Sequence, residues 1–271
     1  MPDGTAGTVA PILVREDRDA VATLVLNRPA ARNGLSVALL DALAVELAAI
    51  ADDAAVRCVV IAAAGPVFCA GHDLKEITAR FADADGGRAF FADAMARCAA
   101  VMGSLPALPQ PVVAAVGGLA TAAGCQLAAA CDLVVASDAA RFCTPGVDIG
   151  LFCSTPAVAL SRAVPRKAAM EMLLTAEPIG AEEARRIGLV NRVVPAASLR
   201  EEAQALAARI AARSALAVRL GKRTFHRQAG LPLAEAYEVA AAAMVDNLLA
   251  EDAAEGIGAF LARRTPEWRH R

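Results

Sequence analysis

The chain has 271 residues and a formal net charge of −2. This length suits one large domain, or a core with a smaller appendage. The near-neutral charge, and the lack of a long basic stripe with interleaved aromatic residues, predict no nucleic-acid partner. Hydrophobic residues make up 57% of the chain but aromatic residues only 4%. Alanine-rich helices each bury little area, so we expect further burial against other subunits.

The N-terminal segment has neither the apolar core of an export signal nor an arginine-rich amphipathic pattern, which predicts a cytoplasmic protein. Seven scattered cysteines without a CxxC pair are typical of small buried side chains in a reducing compartment. Because the chain has only three histidines and no clustered ligands, we expect no metal site.

Residues 98–131 carry no charge over a stretch longer than a membrane span requires. Prolines, glycines and Gln126 divide the stretch into short pieces. The sequence therefore favours a buried strand, turn and helix over a transmembrane helix.

Strands and helices alternate through the first two thirds of the chain. The predicted elements, in chain order, are a strand at 20–27, a helix with apolar residues at 40, 43, 47 and 50, a strand at 56–64, a helix at 88–104, a strand at 112–116 with a short helix, a strand at 132–137 and a helix from about 155. Continuous apolar strands between helices indicate an α/β fold with a sheet covered on its faces.

After about Arg192 the patterns become helical, over 197–213, 214–228, 232–250 and 251–263. We predict an α/β core over residues 1–195 and a helical C-terminal region over 196–271. The helices dock on the core or on a neighbouring subunit.

Two segments share one peculiarity: a strand ends in a small-residue turn that exposes backbone N–H groups. They are residues 66–76 and 118–127. Two N–H donors that converge on one oxygen stabilise the enolate of a thioester, and each can contribute roughly 3–4 kcal/mol in the transition state. Most glycine turns are only turns, so each segment alone remains open to that simpler interpretation.

Four strings resemble the crotonase, or enoyl-CoA hydratase/isomerase, superfamily, in order and over nearly the whole chain: LNRPAARNGLS (26–36), VFCAGHDLKEI (67–77), VGGLATAAGCQLAAACDLVVAS (116–137) and EDAAEGIGAFLARRTPEW (251–268). Within the superfamily, GHDLKE and GLATAAGCQL resemble the type-three enoyl-CoA hydratase domain-containing proteins. The resemblance implies a crotonase-like α/β spiral of repeated ββα units with a helical trimerisation region. It also implies a homotrimer or dimer of trimers.

The resemblance further implies acyl-CoA thioester ligands, with coenzyme A as part of the substrate and no separate cofactor. It assigns the two oxyanion-hole amides to His72 and Ala123. The residues expected along coenzyme A are Ala70, His72, Asp73, Leu74 and Lys75, with Arg28 and Arg32 towards its phosphates and Lys222 and Phe225 as weaker candidates.

The chain departs from the family at its acid–base pair. Hydratases of the family use two glutamates, and the corresponding positions are Gln126 and Gly146. A glutamine amide orients water but cannot take its proton, and glycine does neither. Asp148 is the nearest substitute: it is a single base if it faces the thioester, or a residue that caps or braces the turn.

The sequence is compatible with several functions. The chain is a hydratase-like lyase, a single-base isomerase that uses Asp148, or a non-catalytic acyl-CoA-binding protein. A dinucleotide-dependent oxidoreductase is disfavoured because GGLATAAG misses the GxGxxG spacing. A serine hydrolase is disfavoured because no GxSxG motif occurs.

Overall fold

Two β-sheets and eleven α-helices organise the computed structural model, within the residues it describes, 10–271. The strands are β1 (Leu13–Arg18), β2 (Val21–Leu26), β3 (Cys58–Ala63), β4 (Val67–Cys69), β5 (Val112–Val116), β6 (Leu119–Thr121), β7 (Leu133–Ser137), β8 (Arg141–Cys143), β9 (Ile179–Gly180) and β10 (Arg192–Val194). The helices are α1 (Val37–Ala51), α2 (Leu74–Thr78), α3 (Arg88–Ala107), α4 (Ala123–Ala130), α5 (Ser154–Ala163), α6 (Arg166–Thr175), α7 (Ala181–Arg186), α8 (Leu199–Ala211), α9 (Ala215–Gln228), α10 (Leu233–Leu248) and α11 (Glu251–Leu261).

The larger sheet has the order β1-β2-β3-β5-β7-β10, and the smaller has the order β4-β6-β8-β9. All neighbours are parallel except the pairs β1–β2 and β8–β9. The central strands are fully buried because helices cover both faces of the larger sheet, which explains their continuous apolar runs.

A strand of the larger sheet, a short strand of the smaller sheet and a helix recur three times. The repeats are β3–β4–α2, β5–β6–α4 and β7–β8–α5. Each repeat places one strand beside its predecessor in both sheets, so the chain winds as a spiral. The predicted spiral of ββα units is confirmed.

Two apolar cores lie on the two faces of the larger sheet. One contains α1, α3 and α4. The other is formed against α8, whose Leu199, Ala203 and Leu206 pack on β2, β3 and β5. Therefore the first helix of the C-terminal region is part of the core packing.

The residues that end the chain, 264–271, fold back against the junction of α8, α9 and α11, and we call them the C-terminal strap. Asp252, only 2% exposed, accepts hydrogen bonds from Ser214 Oγ at 2.5 Å, from the Arg269 amide at 2.7 Å and from the His270 amide at 3.0 Å. His270 Nδ1 accepts the Ala215 amide at 3.1 Å. The strap thus joins the start of α11 to the start of α9.

The long helices and buried strands lie where the sequence predicts them, within a few residues. Four strands of two or three residues, β4, β6, β8 and β9, were not predicted, nor were α6 and α7. β10 corrects the expectation of little strand structure after Arg192, because it adds to the edge of the larger sheet beside β7. None of the helices in residues 10–271 has the length and apolar character to cross a bilayer.

Candidate active site

The two small-residue turns of the sequence lie side by side. His72 and Ala123 follow β4 and β6, which are parallel neighbours in the smaller sheet. A Cβ built on Gly71 would lie 3.3 Å from the Ala123 amide nitrogen and 3.2 Å from the Thr121 carbonyl oxygen. The two turns therefore pack directly against each other.

Amides of neighbouring residues in these turns are used within the fold. Ala70 donates to the Arg32 carbonyl at 3.0 Å, Asp73 to the Leu35 carbonyl at 3.2 Å and Ala122 to the Cys143 carbonyl at 3.0 Å.

The amides of His72 and Ala123 behave differently, since neither donates a hydrogen bond within residues 10–271. Ala123 is the first residue of α4, and the first N–H groups of a helix have no acceptor within it, whereas the His72 amide stands free in a turn. They are the two amides that the family resemblance assigns to an oxyanion hole.

Backbone strain accompanies this arrangement. Ala122, which precedes α4, has φ +51° and ψ −120°, a conformation that residues with a Cβ adopt rarely. Such strain costs roughly 1–3 kcal/mol and persists where the surrounding structure enforces it. The next amide, that of Ala123, is the first of α4 and has no acceptor within the helix.

The His72 side chain is partly buried, and its Nε2 atom is buried without a hydrogen-bond partner. Burial lowers the pKa of His72, and a hydrogen bond with the Leu35 backbone opposes this only in part. The imidazole is therefore neutral at pH 7, and it carries no charge beside the free amide.

Gln126 lies in the first turn of α4, three residues after Ala123, and is 4% exposed. Its Oε1 atom is buried and has no partner among the described residues. Side chains of a helix lean towards its N-terminus, so the carboxamide leans towards the free amide end of α4.

Asp148 lies in the 3-10 turn Pro145–Ile149 and is exposed. No side-chain hydrogen bond caps this turn, and the Asp148 carboxylate accepts none within residues 10–271. Both expected roles of Asp148 therefore stay predictions. The carboxylate is near enough to Cys143 for its charge to contribute to a raised pKa of that thiol, which burial chiefly causes.

Beside the first turn opens a cleft of about 560 Å³, whose lining includes Arg28, Asp73, Lys75, Arg80 and Phe90. Arg28 donates to the Gly34 carbonyl at 2.5 Å and to Asp73 Oδ2 at 2.9 Å. A guanidinium has five N–H donors, so Arg28 keeps donors for the expected pairing with phosphate besides the two used here.

Asp73 also accepts the Lys75 amide at 3.1 Å as the N-cap of α2. Burial alone would raise the pKa of Asp73, but hydrogen bonds from Arg28 and the Lys75 amide hold it below its usual value. The Lys75 side chain is exposed and lines the cleft, whereas Leu74 is exposed and does not line it. Arg32 is exposed with φ +52°.

Lys222 lies elsewhere. Its ammonium donates to Asp132 Oδ2 at 2.6 Å, to the Leu105 carbonyl at 2.8 Å and to the Gln110 carbonyl at 2.9 Å. Since an ammonium has three protons, all are used in holding α9 to the core. This corrects the expectation that Lys222 contacts coenzyme A, whereas Phe225 is exposed on the same helix.

All seven cysteines are free thiols, and burial raises the pKa of Cys58 and of Cys69 to about 12 each. Within residues 10–271 no group of three or more histidine, cysteine, aspartate and glutamate side chains could hold a metal ion. Sequence reasoning missed one contact at position 146: a Cβ built on Gly146 would lie 2.9 Å from the Cys153 sulphur. A glycine followed seven residues later by a cysteine gives no recognisable signal.

The spiral of ββα units, with two parallel turns side by side at the ends of β4 and β6, is a crotonase fold. The chain matches the enoyl-CoA hydratase/isomerase family over residues 16–271, and it belongs to that family.

Individual relatives show which members of the family the chain resembles. The chain is 50% identical over 253 residues to the mitochondrial enoyl-CoA hydratase domain-containing protein 3 of Rattus norvegicus, covering 93% of this chain and 83% of the relative. The crystal structure of human enoyl-CoA hydratase domain-containing protein 3 superposes with a TM-score of 0.90 at 48% identity, covering 95% of this chain and 100% of that one. An enoyl-CoA hydratase of Mycobacterium smegmatis gives a TM-score of 0.90 at 49% identity, covering 95% and 99%. The predicted resemblance to the type-three proteins is confirmed.

The same comparison corrects one prediction. The sequence was expected to belong to a cytoplasmic protein, but relatives at 46–50% identity are named as mitochondrial proteins. The expectation rested on the missing pattern of a targeting segment, which is a weak basis for a location.

Proposed function

We propose that this protein binds acyl-CoA thioesters and stabilises the enolate of the thioester. The carbonyl oxygen would lie between the amides of His72 and Ala123. The observation that carries this proposal is that these two amides, on adjacent turns, have no partner within the described residues. Preorganised donors of this kind stabilise charge as it develops on the oxygen, without reorganisation during the reaction.

The cleft beside the first turn supports the same proposal. Its mixture of Arg28, Lys75 and Arg80 with an aromatic side chain, Phe90, suits the phosphates and ring of a nucleotide. Arg80 stacks over the Phe90 ring at 4.9 Å, and the carboxylates of Glu76 and Asp93 line the same cleft.

Ordinary hydration of 2-enoyl-CoA is expected to be slow. Gln126 and Gly146 stand at the two acid–base positions, and each positioned acid or base typically contributes 10²–10⁴-fold. The acid–base chemistry must therefore come from other groups, or the protein binds without turnover. Asp148, exposed and without a partner, remains the candidate for a single base.

A pair of ligands tests the oxyanion site directly. Butyryl-CoA carries the carbonyl oxygen, while the thioether S-butyl-CoA lacks it and is otherwise matched. Two hydrogen bonds of about 0.5–1.5 kcal/mol each predict that calorimetry will find the thioester bound about 5- to 150-fold more tightly.

Equal affinity for the two ligands would contradict the oxyanion proposal, and no binding of either would contradict acyl-CoA binding altogether. A crotonyl-CoA hydration assay, run beside them, separates a hydratase from a binding protein. The substitution Asp148→Ala in the same assay tests the single-base alternative.

We also propose that copies of the chain associate through the C-terminal helices, as a homotrimer or dimer of trimers. In the single chain α10 has no buried residue, and Leu249 and Phe260 are 81% and 82% exposed. Apolar side chains in such number indicate a covered surface. Light scattering after size-exclusion chromatography would detect the assembly, and a monomer would contradict it.

A further inference from the structure

The carboxamide of Asn33, in the loop between β2 and α1, is fully buried and hydrogen-bonded at both its oxygen and its nitrogen. Its Oδ1 atom accepts the Arg28 amide at 2.8 Å, and its Nδ2 group donates to the Ala64 carbonyl at 2.9 Å and to the Val67 carbonyl at 2.7 Å. Ala64 follows β3, and Val67 begins β4. Asn33 therefore attaches its loop to the start of β4, the strand that leads to His72.

Two residues after Asn33, the same loop pairs with the first turn of the site. Leu35 and His72 form an isolated parallel bridge. The Leu35 amide donates to the Gly71 carbonyl at 2.7 Å, and the Leu35 carbonyl accepts the Asp73 amide at 3.2 Å. Both backbone groups of Leu35 are thus bonded to the two residues that flank His72.

This bridge fixes the direction of the His72 amide. The peptide between Gly71 and His72 is trans, and in a trans peptide the carbonyl and the N–H point in opposite directions. Because the Gly71 carbonyl points at Leu35, the His72 N–H points away from the loop. The position of the loop therefore determines where one of the two free amides points.

Arg28 links the other end of the loop to the same turn. Its guanidinium donates to the Gly34 carbonyl and to Asp73 Oδ2, while its backbone amide is held by Asn33. Arg28 and Asp73 both line the cleft beside the turn. One buried carboxamide is therefore connected, through the loop, to the cleft and to the free amide.

Position 33 makes two demands that asparagine meets together. The backbone is left-handed there, with φ +52°, a conformation that asparagine and aspartate adopt more readily than most residues with a Cβ. The side chain must also donate to two carbonyls and accept from one amide, which a carboxylate cannot do. Glycine meets the backbone demand alone.

We propose that Asn33 is a positioning residue for the thioester carbonyl: its carboxamide holds the loop whose bridge to His72 aims the free amide at the ligand oxygen. Asn33 itself does not touch the ligand. The Ala123 amide does not depend on this loop, because the Ala122 carbonyl before it is held within α4 by the Gln126 amide at 3.0 Å. Loss of the carboxamide would thus weaken one of the two hydrogen bonds to the ligand. This inference rests on the proposed function.

The ligand pair butyryl-CoA and S-butyl-CoA also tests this inference. The ratio of their affinities reports on the carbonyl oxygen, because the two ligands share every other group. A general loss of stability or of coenzyme A binding would change both affinities together and leave the ratio unchanged. Asn33→Gly keeps the left-handed backbone and removes the carboxamide, so it is expected to lower the ratio by about 2- to 13-fold, the contribution of one hydrogen bond.

Asn33→Asp keeps the test decisive if the glycine variant does not fold. Aspartate retains the acceptor for the Arg28 amide and has at most one proton to donate, so its affinity ratio is expected to lie between those of Asn33→Gly and the unmodified protein. Infrared difference spectra of butyryl-CoA labelled with ¹³C at the carbonyl give an independent measurement. Binding should lower the carbonyl stretching frequency in the unmodified protein, and should lower it less in both variants.

Gln110→Ala is the matched control. Gln110 is also a buried carboxamide in a connection, and its Nε2 group donates to the Ile50 carbonyl at 2.7 Å and to the Val56 carbonyl at 3.3 Å. These contacts lie at the opposite end of β3 from those of Asn33. We expect Gln110→Ala to lose stability in urea unfolding, and to change the affinity ratio by less than about twofold, below the contribution of one hydrogen bond.

Two results would overturn the inference: an affinity ratio that is unchanged in the folded Asn33 variants, or a ratio that Gln110→Ala lowers equally, because the ratio would then follow stability alone. Either result leaves intact the preference of the unmodified protein for the thioester, and with it the proposed function. Equal affinity of the unmodified protein for the two ligands would instead contradict the proposed function, and this inference with it.

Discussion

The turns of the candidate active site and the C-terminal strap differ in whether their polar groups have hydrogen-bond partners. In the turns, the amides of His72 and Ala123 and the Gln126 Oε1 atom have no partner in the described chain. In the strap, one buried carboxylate, that of Asp252, satisfies a hydroxyl and two amides. The strap therefore uses its polar groups within the fold, whereas the turns leave two donors and one acceptor without partners in the described chain.

The largest effect is expected where the two turns touch. A Cβ on Gly124 would lie 2.1 Å from the Cys69 carbonyl oxygen, a distance at which the backbone must move. We expect Gly124→Ala to destabilise the fold by more than about 4 kcal/mol, beyond the usual range for overpacking. Urea unfolding measures the loss.

Gly221→Ala is the control for that substitution, because nothing lies within 4 Å of a Cβ built there in α9. Replacing a glycine inside a helix should stabilise the protein by about 1 kcal/mol. If both variants lost similar amounts of unfolding free energy, the contact between the two turns would not be the reason why position 124 requires glycine.

The second-largest loss of stability is expected from a substitution in the C-terminal strap. Asp252→Asn removes the charge that three donors share, and hydrogen bonds to a charged group contribute about 1.5–3 kcal/mol. We expect a loss of about 2 kcal/mol in urea unfolding. Burial alone would raise the pKa of Asp252, but its hydrogen bonds lower it, so this stability is present at neutral pH and is lost as pH falls through the lowered value.

Glu251→Gln provides the comparison, since Glu251 pairs with Arg271 in an exposed salt bridge at 3.1 Å. Such pairs contribute about 0–1 kcal/mol. An equal loss in the two variants would refute the special role of the buried carboxylate.

A smaller effect, with the opposite sign, is expected at Ala122. Glycine adopts φ +51° without strain, so Ala122→Gly should stabilise the native state by about 1 kcal/mol once the greater freedom of the unfolded chain is included. Thermal unfolding and butyryl-CoA binding would be measured together. If the variant were less stable, the packing of the Ala122 methyl group would contribute more free energy than its backbone strain costs.

The smallest effect concerns His270. Burial and the charge of Arg57 lower its pKa below 6.5, although Asp252 opposes the shift. The folded state therefore binds fewer protons than the unfolded chain, so stability is full above pH 6.5 and falls as pH drops through the lowered pKa. Comparing His270→Gln with the unmodified protein on both sides of this pH should give a smaller acid-side loss in the variant, and identical pH profiles would contradict the prediction.

Sequence reasoning located the long helices and the buried strands because their apolar spacing is periodic over ten or more residues or continuous over five. It could not locate β4, β6 and β8, since three residues form no pattern and only their neighbours hold them in a sheet. The sequence did not predict β1, because four of its six residues, Arg15 to Arg18, are charged and lie at the sheet edge.

In the candidate site, too, some features could be predicted from the sequence and others could not. The two turns around His72 and Ala123 were predictable because their composition and their resemblance to a family are local in sequence. Three features were not predictable, because each depends on contacts between distant residues. They are the position of Cys153, the partners of Lys222 and the hydrogen bonds of the strap around Asp252. The expected roles of Arg28 and Asp148 remain predictions that ligand binding would test.

The parallel pairing of β4 and β6 has one further consequence. Because the two turns continue adjacent parallel strands, their spacing is set by the backbone, whose interstrand repeat is about 4.8 Å. Under the proposed function, the contacts with the thioester oxygen would depend on main-chain atoms alone. Side-chain substitutions would then alter which acyl group enters, or how protons travel, and would leave the two amides in place.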